Sequence, residues 1–112
     1  MDERAKRIGR NEALFREVNE RIERVTEALQ VTSESIGILC ECGNPSCTQT
    51  IEVALPEYER VRSESELFFV RTGHEEPDVE EVVEQHENFD VVRKDPGPAA
   101  EMARRLDPRE PS

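Results

Sequence analysis

The residues with the most chemical capacity in this sequence form the run Cys40-Glu41-Cys42-Gly43-Asn44-Pro45-Ser46-Cys47, a C-x-C-x4-C arrangement that holds all 3 cysteines of the chain. Thiolates are strong ligands for borderline-soft cations. Zinc takes four ligands at tetrahedral corners, with sulfur about 2.3 Å from the ion. Aiming three sulfurs at one ion requires a sharp reversal of the chain. Gly43 is expected to supply it through a positive φ, and Pro45 through its fixed φ. The odd cysteine count points the same way, because any disulfide would leave one thiol over.

A fourth ligand has to come from elsewhere in the chain. His74 follows Gly73 in a turn and is the expected ligand, with His86 as the alternative and Asp, Glu or water as oxygen donors. A closed Cys3His set leaves no open coordination position, so the metal is expected to be structural and the chain not an enzyme. A zinc enzyme would need an open site with Glu75 or Glu76 as general base, and three thiolates make zinc a poor activator of water. An iron–sulfur cluster of the [2Fe–2S] type is the alternative cofactor.

The elements that must position these ligands are legible from periodicity. From about Arg7 to Gln30 the pattern predicts one amphipathic helix. Ile8, Phe15, Ile22 and Leu29 recur every seven residues, Val18 and Val25 lie between them, and Leu14 widens the stripe. Asn11 falls on an intermediate position of the first heptad, where a polar residue in a helix–helix seam would set register. The helix is therefore expected either to pack on the domain or to pair with a second copy as a homodimer. Ile36, Ile38 and Cys40 alternate with Gly37 and Leu39, as do Ile51, Val53 and Leu55 with Glu52 and Ala54; the two segments predict a hairpin with the cysteines at its tip.

Pro56 is suited to open a short helix over residues 57–63 carrying Tyr58 and Val61. Residues 67–71 predict a buried strand. The valine-rich segment 79–94 predicts a second hairpin, its first arm alternatively a helix capped by Asp78. Ala99 to Leu106 predicts a last helix. The expected fold class is α+β: a long N-terminal amphipathic helix and a small antiparallel sheet of two hairpins, clipped by one zinc site. The expected divisions are the helix over 1–30, the zinc-clipped domain over 31–106, and a disordered tail over 107–112.

Charge narrows the function classes. The formal net charge is −11, and residues 1–30 carry 7 acidic and 7 basic side chains, so the excess falls entirely on residues 31–112. Between Glu75 and Asp90 there are 8 carboxylates and no Lys or Arg, a stretch expected to be a solvated face or a surface for a basic protein partner. Direct binding to nucleic acid or anionic membrane is not expected from such a chain. The polar start Met1-Asp2-Glu3-Arg4 has no signal-peptide character, no apolar run reaches membrane-spanning length, and clustered thiols suit the reducing cytoplasm.

The run from Arg7 to Arg21, R-I-G-R-N-E-A-L-F-R-E-V-N-E-R, resembles the start of a family of short, chiefly actinobacterial proteins without a characterised activity. The cysteine run, Glu57-Tyr58 and Gly73-His74-Glu75 are similar to that family's later motifs, and the likeness extends to about Asp107-Pro108-Arg109. It implies a small stand-alone protein whose motifs include the cysteine cluster and the Gly-His-Glu. Glu87-Asn88-Phe89 departs from the Asp-Gly-aromatic turn common in such relatives. The C-x-C start is also similar to SWIM-type zinc fingers, and the three-Cys, one-His set to CDGSH iron–sulfur proteins. Neither closing motif, C-x-H or C-D-G-x-x-x-H, is present. The expected function is a cytoplasmic, non-catalytic zinc-binding interaction or regulatory module. The alternative is a redox- or metal-responsive regulator whose zinc thiolates act as the switch.

Overall fold

A computed structural model describes residues 3–28 and 35–109. Residues 1–2 and 29–30 of the expected helix and residues 110–112 of the expected tail lie outside the described residues. Helix α1 spans Glu3–Ala28. Its only glycine is Gly9 and it contains no proline, so propensity favours one long helix. Strands β1 (Ser35–Leu39) and β2 (Thr50–Ala54) pair antiparallel as the first hairpin, with Ile38 opposite Ile51. Helix α2 (Leu55–Arg62) starts with Pro56 in its first turn, as expected, and buries Tyr58 and Val61.

Strand β3 (Leu67–Val70) is buried throughout. Strands β4 (Glu80–Gln85) and β5 (Asp90–Lys94) form the second hairpin, and β3 pairs with the other edge of β5. The valine-rich arm is thus a strand, not a helix. Val83 is pushed out by a bulge between Val82 and Glu84 and is exposed. Helix α3 (Pro98–Arg105) is entered through Gly97 at φ 132°, a conformation open essentially to glycine alone. The fold class is α+β, with one correction: the two hairpins belong to two sheets, order β1-β2 and order β3-β5-β4, not to one.

The apolar core lies between these sheets and α2. It contains Ile36, Ile38, Ile51, Val53, Tyr58, Phe69, Phe89 and Val92, with Tyr58 stacked on Phe69 at 5.7 Å and Phe89 edge-on to Phe69 at 5.6 Å. None of its residues lies on α1, which contributes Ala5 and Ile8 to a separate small cluster with Val79 and Ala99.

The face of α1 that packs inward differs from the apolar stripe. Ile8 is buried, but Leu14 and Val25 are each 57% exposed. The residues turned to the domain are Ala5, Ile8, Glu12, Ala13, Arg16, Asn19, Glu20 and Glu23. At 3.6 residues per turn this face is centred about 120° around the helix from the heptad stripe. Buried polar groups are tolerated when they are bonded, and here distant elements supply the partners. Arg16 donates to the carbonyls of Ser65 and Ala103, both at 2.7 Å, and Tyr58 Oη donates to Glu20 at 2.7 Å. Glu12 pairs with Lys94, which also binds Glu80, all three side chains having no exposure. Gly9 faces α3, and a Cβ there would make ordinary contact with Met102 Cβ at 3.4 Å.

The expected disorder from Asp107 onward does not extend to the first residues of that segment. Asp107 is buried, Arg109 N–H donates to its carboxylate at 2.9 Å, and the Arg109 guanidinium pairs with Glu20 and Glu59. A basic residue opposite two carboxylates from α1 and α2 ties down a segment that composition alone would leave loose.

Candidate metal centre

Cys40 and Cys42 lie just beyond the end of β1, Cys47 in the turn before β2, and His74 in the loop after β3. Their four ligand atoms lie within 4.8 Å of one another, an arrangement that can hold a single metal ion. His74 Nδ1 is 3.5 Å from Cys40 Sγ and 3.7 Å from Cys47 Sγ. A tetrahedral ion with ordinary zinc–sulfur and zinc–nitrogen bonds would place such atoms about 3.6 Å apart. Cys40 and Cys42 are buried and Cys47 is half-buried.

The turn is built locally. Asn44 Oδ1 accepts the Ser46 N–H at 2.9 Å and its carbonyl accepts the Cys47 N–H at 3.0 Å, an Asx-type turn that swings Cys47 back toward the strand end. Gly43 does not act through positive φ; among the described glycines that belongs to Gly73, at 85°, and Gly97. Gly43 is required for space, since a Cβ there would come within 2.5 Å of Ile8 Cγ2. The positive φ expected in the cysteine turn occurs instead at Gly73, where it helps turn His74 toward the sulfurs.

His86 stands apart from the cysteines. Its Nε2 lies 3.0 Å from Glu84 and 3.8 Å from Glu57, and its ring stacks on Phe89 at 4.4 Å. Glu57, Glu84 and His86 form a second close group, but the Arg60 guanidinium already pairs with both carboxylates. Glu75 is half-buried beside the candidate centre, and Glu76 is bonded to Arg4 at 3.2 Å. Both border a cleft of about 220 Å³ that Cys42, Asn44, Gly73 and His74 complete.

Packing the thiols together perturbs them. The Cys40 thiol is pushed up by sharing its proton with Cys42 and by burial. Cys42 is pulled down to about 5, first by the S–H of Cys40 and then by the Asn44 backbone, His74 and Cys47. The downward shift of Cys42 favours its thiolate, the form a metal ion binds. The Arg71 N–H donates to Cys40 Sγ at 3.2 Å, stabilising negative charge there.

Several supporting residues carry no motif and are missed from sequence. Glu41, between two candidate ligands, is completely buried: Oε1 accepts the Phe69 N–H at 2.9 Å and Oε2 accepts the Asn19 Nδ2–H at 2.8 Å. Burial raises its pKa, against the pull of Arg62 and these bonds. Asn19 also donates to the Leu39 carbonyl at 2.9 Å and accepts the Leu39 N–H at 2.8 Å, so its amide behaves like a neighbouring strand on the open edge of β1. Asn11, expected to set register in a helix seam, donates instead to the Gly43 carbonyl at 3.1 Å. Strand alternation offered one signal: Glu41 must point opposite to Cys40 and Cys42, into the protein if they face the same ion.

The acidic stretch is less uniform than its composition implies. Glu80 and Asp90 are buried, Arg4 pairs with Glu76 and Asp78, and Arg60 pairs with Glu84. Among the described residues no helix is long and apolar enough to cross a membrane. Comparison with protein-family models, curated proteins and solved structures gives no match to this chain.

Proposed function

We propose that Cys40, Cys42, Cys47 and His74 hold one zinc ion, and that this chain is a small non-catalytic interaction or regulatory module whose fold the ion completes. The observation that carries this reading is the convergence of four soft or borderline ligand atoms from two pieces of chain within 4.8 Å. Such convergence suits one ion better than a two-iron cluster, whose ligands divide into two more widely spaced pairs. With three thiolates and an imidazole engaged, zinc would have a full shell and no place for substrate. Glu75 and Glu76 then serve as neighbouring charges rather than as a general base.

In this reading the protein works in the reducing cytoplasm as a member of the family that its motifs resemble. Its exposed carboxylates, such as Glu81 and Glu87, would meet a basic protein partner. Native mass spectrometry of the reduced protein tests the core of the reading. One zinc per chain is expected, with Cys42→Ser/Cys47→Ser reducing occupancy; a metal-free chain after growth and dialysis with zinc would refute it.

A second reading, a redox- or metal-responsive switch, is favoured by the half-exposure of Cys47. A partly exposed thiolate is the one an oxidant reaches first. Zinc retained through mild peroxide treatment would remove that reading and leave the structural one.

A further inference from the structure

The candidate centre draws ligands from two pieces of chain, and both pieces also hold helix α1. The cysteine segment is bonded through Asn11 to Gly43, through Asn19 to Leu39 and Glu41, and packed through Gly43 against Ile8. The His74 loop is bonded through Glu76 and Asp78 to Arg4 at 3.2 and 2.8 Å. The Glu76 N–H also donates to Glu80 Oε2 at 2.9 Å, and Glu80 meets Glu12 of α1 through Lys94. A metal ion would bond the cysteine segment to the His74 loop and so fix the spacing of the two jaws.

We infer that metal loading latches α1 onto the domain, and that metal loss frees this helix ahead of the rest of the fold. The inference rests on the zinc reading above and adds a regulatory consequence to it. Two observations make α1 the part to be released. The main apolar core has no α1 residue among its members, and the Arg16 guanidinium of α1 meets it over the Phe68 ring, at 4.7 Å. The buried face of α1 is also largely polar, comprising Glu12, Arg16, Asn19, Glu20 and Glu23, groups that water solvates once uncovered. A helix held mainly by polar contacts, with only the small apolar cluster of Ala5 and Ile8 beside them, comes away when its grips move apart.

Hydrogen–deuterium exchange on the full chain tests this, comparing zinc-loaded protein with protein stripped by a chelator under reducing conditions. Native mass spectra of the same samples report zinc occupancy. On stripping, α1 amides are expected to exchange about tenfold faster or more, and those of β3 and β5 to change by less than about twofold. Unchanged α1 protection in a sample that has lost its zinc overturns the latch and leaves the zinc reading intact. Equal acceleration in every segment also overturns it, since the metal would then hold the whole domain. A chain that never takes up zinc overturns both readings. Cys42→Ser/Cys47→Ser provides the comparison without chelator: its α1 is expected to exchange at the stripped rate whether or not zinc is added, and protection restored by zinc in that variant overturns the latch.

Discussion

Replacing Gly43 by alanine puts a methyl carbon where the structure has room for none. The added Cβ would lie 2.5 Å from Ile8 Cγ2, 3.2 Å from Ile8 Cβ and 3.3 Å from Ile8 Cγ1. These atoms form the β-branched stem of Ile8, which has few rotamers in a helix, so the clash cannot be relieved by swinging a flexible tip. Either α1 or the cysteine turn must shift by about 1 Å to restore an ordinary carbon–carbon contact. Overpacking of this kind costs about 1–3 kcal/mol, and displacement of the turn also misplaces Cys42. Gly43→Ala should therefore lower the urea midpoint by the equivalent of about 2 kcal/mol and weaken zinc binding by about tenfold or more. Ile8→Ala removes both γ carbons and leaves only the 3.2 Å contact. The cost of Gly43→Ala measured in that background should accordingly fall by at least about 1 kcal/mol, as a double-mutant cycle reports it. An undiminished cost in the Ile8→Ala protein would refute the steric argument, as would a Gly43→Ala protein as stable as the parent.

The remaining predictions concern ligands, support and pH. His74→Asn should lower zinc affinity by about a hundredfold or more in a competitive chelator titration, whereas His86→Asn should leave it within about twofold, because His86 lies with Glu57 and Glu84. Asn19→Ala removes three hydrogen bonds, to Leu39 N–H, the Leu39 carbonyl and Glu41, and should cost about 2–4 kcal/mol in denaturant unfolding. Burial alone would raise Glu20, but bonds from Arg109 and Tyr58 outweigh it and hold its carboxyl below the usual value of 4.5. Its stabilising contribution is therefore present above pH 4.5 and lost as the pH falls below, so Glu20→Gln should flatten the acid limb of a stability–pH curve. Leu14→Ser, on the exposed flank of α1, should change stability by less than about 0.5 kcal/mol.

The candidate metal ligands illustrate how local a sequence signal has to be to be read. Cys40, Cys42 and Cys47 fall within eight residues, so their convergence needs only a strand end and a turn, both with short-range chemistry of their own. His74 could be preferred over His86 because it follows glycine in the turn after a buried strand, and Gly73 does adopt positive φ there. The valines of β5 and the proline of α2 were likewise legible, since strand and cap preferences act over a few residues, whereas the first arm, β4, also admitted a helix capped by Asp78.

Helix α1 marks the other side of that division. Its length was written in uninterrupted helix-forming residues, but its inward face was not, because periodicity locates apolar side chains and says nothing about charges awaiting partners. Glu12 is buried because Lys94 arrives from 82 positions away, and Arg16 because Ala103 offers a carbonyl from 87. The same holds for Gly43, whose missing Cβ is required by Ile8 and not by its own backbone. The long helix, the first hairpin and the thiol cluster are legible along the chain, because each draws on neighbours a few residues away. Which face of α1 is covered, and how that helix grips both halves of the candidate centre, depends on contacts that exist only once remote segments have been brought together.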